Sequence, residues 1–154
     1  MKVIARTIGA VIFYPSWPVL YFYLKFSKRA RVVIACGDEV LVVKGWLGDG
    51  KWSLPGGGLH DKESPEQAAR REVKEEVGVN LQAGQLSVLG EAEYHERGLR
   101  YSYYQLAANL ADKPALHLQG REIVDAAWIP AQQLTAKNSE KATVETLGLW
   151  RPNR

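Results

Sequence analysis

Two hydrophobic periods alternate along this chain, and each change of period marks an element. Residues 31–36 and 39–44 are short Val- and Ile-rich runs separated by Gly37-Asp38, a pattern that predicts two strands joined by a tight turn. Further on, Ala69, Val73 and Val77 recur every four residues, the spacing of one buried helical stripe. Ser64 is placed to cap that helix, Pro65 suits its first turn, and Gln67 completes an S-x-x-Q capping box. Gly78 follows the last helical residue and can take the left-handed C-terminal cap. Strand-like runs return at 86–93 and 99–110, with Glu96-Arg97-Gly98 as the turn between them. Another run, 123–129, ends at Pro130, and Ser139 is placed to cap a last helix reaching about Leu147. Strands mixed with helices in this order predict an α/β fold, an α/β/α sandwich around a mixed sheet.

The polar positions of the central helix break the rules that its apolar positions obey. Glu72, Glu75 and Glu76 stand at i, i+3 and i+4 and so share one face. Like charges at this spacing repel, and negative charge near a helix C-terminus opposes the macrodipole. The same face borders the buried stripe, so these carboxylates belong at the edge of the core. A divalent cation relieves both conflicts. Upstream, Pro55-Gly56-Gly57-Gly58 predicts a sharp bend that lets the backbone approach a ligand closely.

Residues 57–79, GGLHDKESPEQAARREVKEEVGV, resemble the Nudix box, G-x5-E-x7-R-E-U-x-E-E-x-G-U with U a bulky aliphatic. Gly57, Glu63, Arg71, Glu72, Val73, Glu75, Glu76, Gly78 and Val79 occupy every defined position. The resemblance runs from about residue 30 to the C-terminus and includes the flanking Trp52-Ser53-Leu54-Pro55 and the late run 122–128. It implies the α/β/α Nudix fold and hydrolysis of a diphosphate linkage. It also implies Mg2+ or Mn2+ held by Glu72, Glu75, Glu76 and the Gly56 carbonyl, with Glu72 doubling as general base. Arg71 would orient the glutamates, Glu63 would steady the loop–helix junction, and Gly57 and Gly78 are structural. The chemistry is coherent, because Mg2+ takes oxygen ligands, keeps waters, and can activate one of them against a phosphate.

Outside the motif the assignments rest on position. Glu96, in the expected turn, is the preferred carboxylate to complete the catalytic set, and Glu122 is the alternative, also facing substrate. Tyr94 lies where a tyrosine resembles the dinucleoside polyphosphate group of the family; packing in a strand is the plainer reading. Trp52 and Trp46 are candidates to stack on a base. Three functions compete: hydrolysis of a nucleoside diphosphate derivative, hydrolysis of a lipid diphosphate at a membrane, and ligand binding without catalysis.

Composition limits the partners. A net charge of +3 with no long basic run gives no strong nucleic-acid signal. The single cysteine, Cys36, cannot form an intrachain disulfide, which favours a reducing, cytoplasmic setting. Residues 1–29 form a separate arm ahead of a hydrolase domain at 30–154. The arm is rich in aromatics (Phe13, Tyr14, Trp17, Tyr21, Phe22, Tyr23) and bounded by Lys and Arg. Pro15 and Pro18 interrupt it, which argues against a simple span. Packing on its own domain, a homodimer contact and a peripheral membrane contact through residues 1–28 are its three readings.

Overall fold

A five-stranded mixed sheet with one helix against each face forms the body of the computed structural model, which describes residues 28–46, 49–96, 99–118 and 122–150. The arm therefore lies outside the described residues as far as residue 27. Strand β1 (Lys28–Cys36) and strand β2 (Glu39–Gly45) pair antiparallel only beside their turn, at Ala35–Val40 and Cys36–Glu39. Beyond that point they splay, and segment 53–58 fills the wedge. Ser53 exchanges two 2.9 Å backbone hydrogen bonds with Val43, while the N–H groups of Ala30 and Val32 donate to Gly57 and Pro55 at 2.8 and 3.0 Å.

Strands β3 (Ser87–Glu96) and β4 (Leu99–Asn109) form a hairpin, and β4 runs parallel to β1 from Lys28–Ser102 to Ala35–Asn109. Strand β5 (Ile123–Pro130) pairs antiparallel with β2. The order is β3-β4-β1-β2-β5.

Alternation along the strands divides the core. Ala30, Val32, Ile34, Leu41 and Val43 point toward helix α1 (Pro65–Val77), whose Ala69, Val73 and Val77 are fully buried against them. Burying a valine completely stabilises the fold by about 1.5–3 kcal/mol, so this stripe anchors the helix. Val33, Ala35, Val40 and Val42 point the other way, toward Leu54, Leu134 and Trp150, while Ala142 of helix α2 (Lys141–Leu149) packs on Tyr101 and Tyr103. The capping box of α1 forms as read from its residues: Ser64 Oγ accepts from the Gln67 N–H at 3.2 Å and Gln67 Oε1 accepts from the Ser64 N–H at 2.9 Å. Gly78 takes the left-handed cap with φ 74°.

Three boundaries differ from the sequence reading. β1 begins at Lys28 rather than at 31, because β4 supplies it with a parallel partner that local pattern cannot reveal. β3 continues to Glu96, so that residue ends a strand opposite Leu99 instead of standing in the turn. The last helix is capped by Glu140 without a side-chain hydrogen bond, not by Ser139. Ser139 is buried and bridges to Trp52, holding the helix start against segment 53–58.

Candidate active site

The wedge between β1 and β2 brings the glycine loop over the acidic face of α1. Gly56 has φ 133°, and a Cβ there would lie 2.1 Å from the Ala30 carbonyl oxygen. Glycine at this position therefore answers first to the backbone of β1, not to a ligand as its sequence suggested. Its N–H donates to Glu76 Oε2 at 2.9 Å, tying the loop to the end of α1. Its carbonyl accepts from Arg31 Nη1 at 2.7 Å, and the Leu54 carbonyl accepts from the same nitrogen at 3.3 Å. A Cβ on Gly57 would meet the Glu72 carboxylate at 2.3 Å, so the bare backbone there makes room for that side chain.

Arg71 organises the other carboxylates. Its Nε and Nη2 grip both oxygens of Glu63 at 2.9 and 3.0 Å, Nη2 also reaches the Gly58 carbonyl at 2.8 Å, and Nη1 donates to Glu72 at 2.9 Å and Glu75 at 3.3 Å. Planar bidentate pairs of this kind are strong and directional. The Arg71 hydrogen bonds, helped by the His60 N–H, hold the Glu63 carboxyl down at about 2. Glu63 itself raises the Arg71 pKa above its ordinary value. Glu76 goes the opposite way. Burial pushes its carboxyl up to about 7, with Glu72 adding like-charge repulsion, and the Gly56 N–H, Arg31 and Arg29 only partly offset this.

Two cavities meet along this face. One, of about 420 Å³, is lined by Arg29, Arg31, Trp46, Gly56–Gly58, Glu72, Glu76, Glu122 and Glu140. The other, of about 400 Å³, shares Glu72, Glu76 and Glu122 and adds His60, Arg71 and Glu75. The fold thus unites Glu72, Glu75, Glu76, Arg71, Gly56 and Gly57 with Glu122, which is exposed at the entry to β5.

Other candidates sit elsewhere. Trp52 lies under Lys44, whose Nζ is 4.1 Å from its ring centroid, and it lines neither cavity. Trp46 lines the cleft in its place, with its backbone N–H donating to the Glu122 backbone carbonyl at 2.8 Å. Tyr94 stacks on Tyr101 at 4.7 Å. The Glu96 backbone ends β3, and its side chain is not among those described.

Sequence reading missed Arg29, Arg31 and Glu140 as lining groups. Local pattern offered a signal for Arg31 alone, which begins the strand predicted at 31–36 in phase with the apolar Val33 and Ala35; Arg29 lies ahead of that strand.

Among the described residues, no three carboxylate, imidazole or thiolate side chains converge as a ready-made metal cluster. Arg71 and the Gly56 N–H hold the glutamates instead. The donor set still fits a hard divalent cation: oxygen ligands only, one of them the half-buried Glu76 carboxylate, beside a loop left open by Gly57.

Comparison with known proteins agrees with this geometry. Residues 26–147 match the family model of the NUDIX domain. Diphosphoinositol polyphosphate phosphohydrolase 2 from Rattus norvegicus is 38% identical over 97 residues, covering 61% of this chain and 53% of that protein. The chain thus spans about half the length of the curated relative it matches. The crystal structure of a MutT NUDIX hydrolase from Burkholderia pseudomallei superposes with a TM-score of 0.70 at 19% identity, covering 81% of this chain and 98% of that one. A bifunctional NMN adenylyltransferase/ADP ribose pyrophosphatase from Francisella tularensis, in complex with AMP and a manganese ion, gives a TM-score of 0.69 at 19% identity, covering 89% and 45%. At such identities the structures establish the shared fold, and the family model, which spans most of the chain, establishes membership: this chain belongs to the NUDIX family.

Proposed function

We propose that this chain hydrolyses a diphosphate linkage in a nucleoside diphosphate derivative with the help of Mg2+ or Mn2+. The observation that carries the proposal is that Glu72, Glu75, Glu76 and Glu122 line one cavity, which shares Glu72, Glu76 and Glu122 with the cavity under the glycine loop. Glu72, Glu75, Glu76 and the Gly56 carbonyl would hold the cation, which supplies charge neutralisation and an activated water. The carbonyl retains a second lone pair beside its bond from Arg31. Arg71 positions Glu72 and Glu75 from its Glu63 anchor. Glu122, the alternative to Glu96 and a cleft carboxylate from outside α1, would take a proton from the attacking water.

The relative named for diphosphoinositol polyphosphate and the structural neighbour holding AMP and manganese support a diphosphate and a nucleotide as ligand classes. No helix among the described residues is long and apolar enough to cross a membrane. The lipid diphosphate reading thus rests on the arm, outside the described residues. A panel of nucleoside diphosphate derivatives and lipid diphosphates, assayed with Mg2+ and Mn2+ beside Glu75→Gln and Glu76→Gln, tests the proposal. Metal-dependent hydrolysis of a nucleotide substrate that collapses in both variants is expected. Hydrolysis that survives both substitutions would sink the metal assignment.

A further inference from the structure

The cleft contains a cation that the hydrolytic mechanism leaves without a task. Arg29 lines the larger cavity beside Glu72, Glu76 and the glycine loop. Its Nε is shielded from solvent, and no hydrogen-bond acceptor meets it among the described residues. Buried donors are rarely left unsatisfied, and one whose side chain lines a cleft can be completed by a ligand oxygen. Arg31, by contrast, is already committed to the Leu54 and Gly56 carbonyls and acts as a brace for the loop.

Arg29 is also held in place. Its guanidinium carbon stands 5.6 Å from the centroid of the buried Tyr101 ring, Tyr94 stacks on Tyr101 at 4.7 Å, and Tyr103 meets it edge-on at 6.3 Å. This aromatic array occupies the side of the sheet toward α2 and presents the cation to the cleft. Burial and the neighbouring charge of Arg31 both disfavour the charged form of Arg29, and the carboxylates that compensate it are Glu72 and Glu76. Those are the groups assigned to the divalent cation. Once they are neutralised there, Arg29 loses both compensating carboxylates, while Arg31 keeps Glu140 and its two carbonyl partners, so Arg29 is the cation that calls for an anion.

We propose that Arg29 is the anion-binding residue of the cleft, receiving a non-bridging phosphate oxygen of the substrate while Tyr101 and Tyr94 set its position. The identity of the ligand rests on the hydrolase reading above. The planar guanidinium suits this task, because it can stack on a ring while its edge donates to phosphate. Tyr94 then serves substrate binding through Tyr101 and Arg29 rather than by touching a base.

The test is calorimetric binding of the non-hydrolysable α,β-methylene-ADP, in Mg2+, to the full chain and to its Arg29→Met and Arg29→Lys variants. Loss of a charge-assisted hydrogen bond should weaken binding by about 10- to 100-fold in Arg29→Met. Lysine should recover only part of this, since it keeps the charge but lacks the stacked fork. Mg2+ binding without nucleotide should be no weaker in either variant, because neither substitution removes a cation ligand and Arg29→Met takes away a positive charge beside Glu72 and Glu76. Unaltered nucleotide affinity overturns the proposal, and so does an equal fall in Mg2+ affinity, which would mark Arg29 as a purely structural residue. If thermal melting shows that Arg29→Met does not fold, Arg29→Lys decides alone: a loss of about fivefold or more supports the assignment and unchanged affinity overturns it. Hydrolysis in the substrate panel is read separately. Turnover with unaltered variant binding rejects Arg29 alone, whereas analogue binding that depends on Arg29 without turnover of any diphosphate rejects the hydrolase reading alone.

Discussion

Glu76→Gln should stabilise the metal-free protein at alkaline pH while removing its response to metal. In the folded chain burial raises the Glu76 carboxyl to about 7, against an ordinary value of 4.5. Between those two pH values the folded state keeps a proton that the unfolded state releases. Stability therefore falls as pH rises through this window, and the full penalty is present above it. At about 1.4 kcal/mol per pH unit the difference corresponds to an upper limit of about 3 kcal/mol. Glutamine preserves the shape, and its Oε1 can still accept the Gly56 N–H that Glu76 accepts now. For a chain of this size 1 kcal/mol moves the melting temperature by about 2–4 °C, so the variant should melt higher at pH 8 by up to about 6–12 °C. Near pH 4.5 the advantage should vanish. The assay is thermal unfolding followed by circular dichroism in a chelator across pH 4.5–8, repeated with Mg2+. Mg2+ should raise the melting temperature of the unaltered protein and leave the variant unmoved. An equal or lower melting temperature for the variant at pH 8, or the same gain at pH 4.5, would refute the desolvation argument.

Neighbouring glycines should fail in different ways. Gly56→Ala drives a Cβ to 2.1 Å from the Ala30 carbonyl oxygen at φ 133°. It should cost more than about 3 kcal/mol in denaturant titration. Gly57→Ala meets only the movable Glu72 carboxylate. It should stay within about 1 kcal/mol of the unaltered protein yet slow hydrolysis by about 10- to 100-fold, because Glu72 is displaced. Glu63 is held at about 2 by Arg71, so its contribution is present above pH 4.5 and lost as pH falls toward 2. Glu63→Gln should therefore be the less stable protein at pH 7 and lose that deficit in acid, as urea unfolding at pH 7 and pH 2.5 would show. Gly78→Ala, at φ 74°, should lower helix and protein stability by about 1–2 kcal/mol, read from melting curves.

Helix α1 was fully legible in the chain because its determinants are local. A capping box, a stripe every four residues and a glycine stop act within a few residues of one another, and each appears in the structure as read. The acidic face was legible for the same reason: its conflict with the helix dipole exists wherever the helix is put. The strands were legible as elements but not as neighbours. Nothing local announces that β4 lies parallel to β1, yet that pairing extends β1 back to Lys28 and carries Arg29 into the cleft.

The same limit governs the site. Trp52 and Trp46 are both candidates in the sequence, but the Trp52 backbone pairs with Ser139 at the start of α2, while the Trp46 backbone bonds to Glu122. Tyr94 was singled out by its spacing from the motif and Glu96 by its place in the expected turn. Cross-strand pairing instead put Tyr94 on Tyr101 and Glu96 at a strand end. By itself, then, the sequence determined the helix, its three glutamates and the family they signal, since these follow from interactions a few residues long. Only the tertiary structure decided what faces them: Glu122, Trp46, Glu140 and the two arginines reach the cleft across the sheet, through hydrogen bonds between residues far apart in the chain.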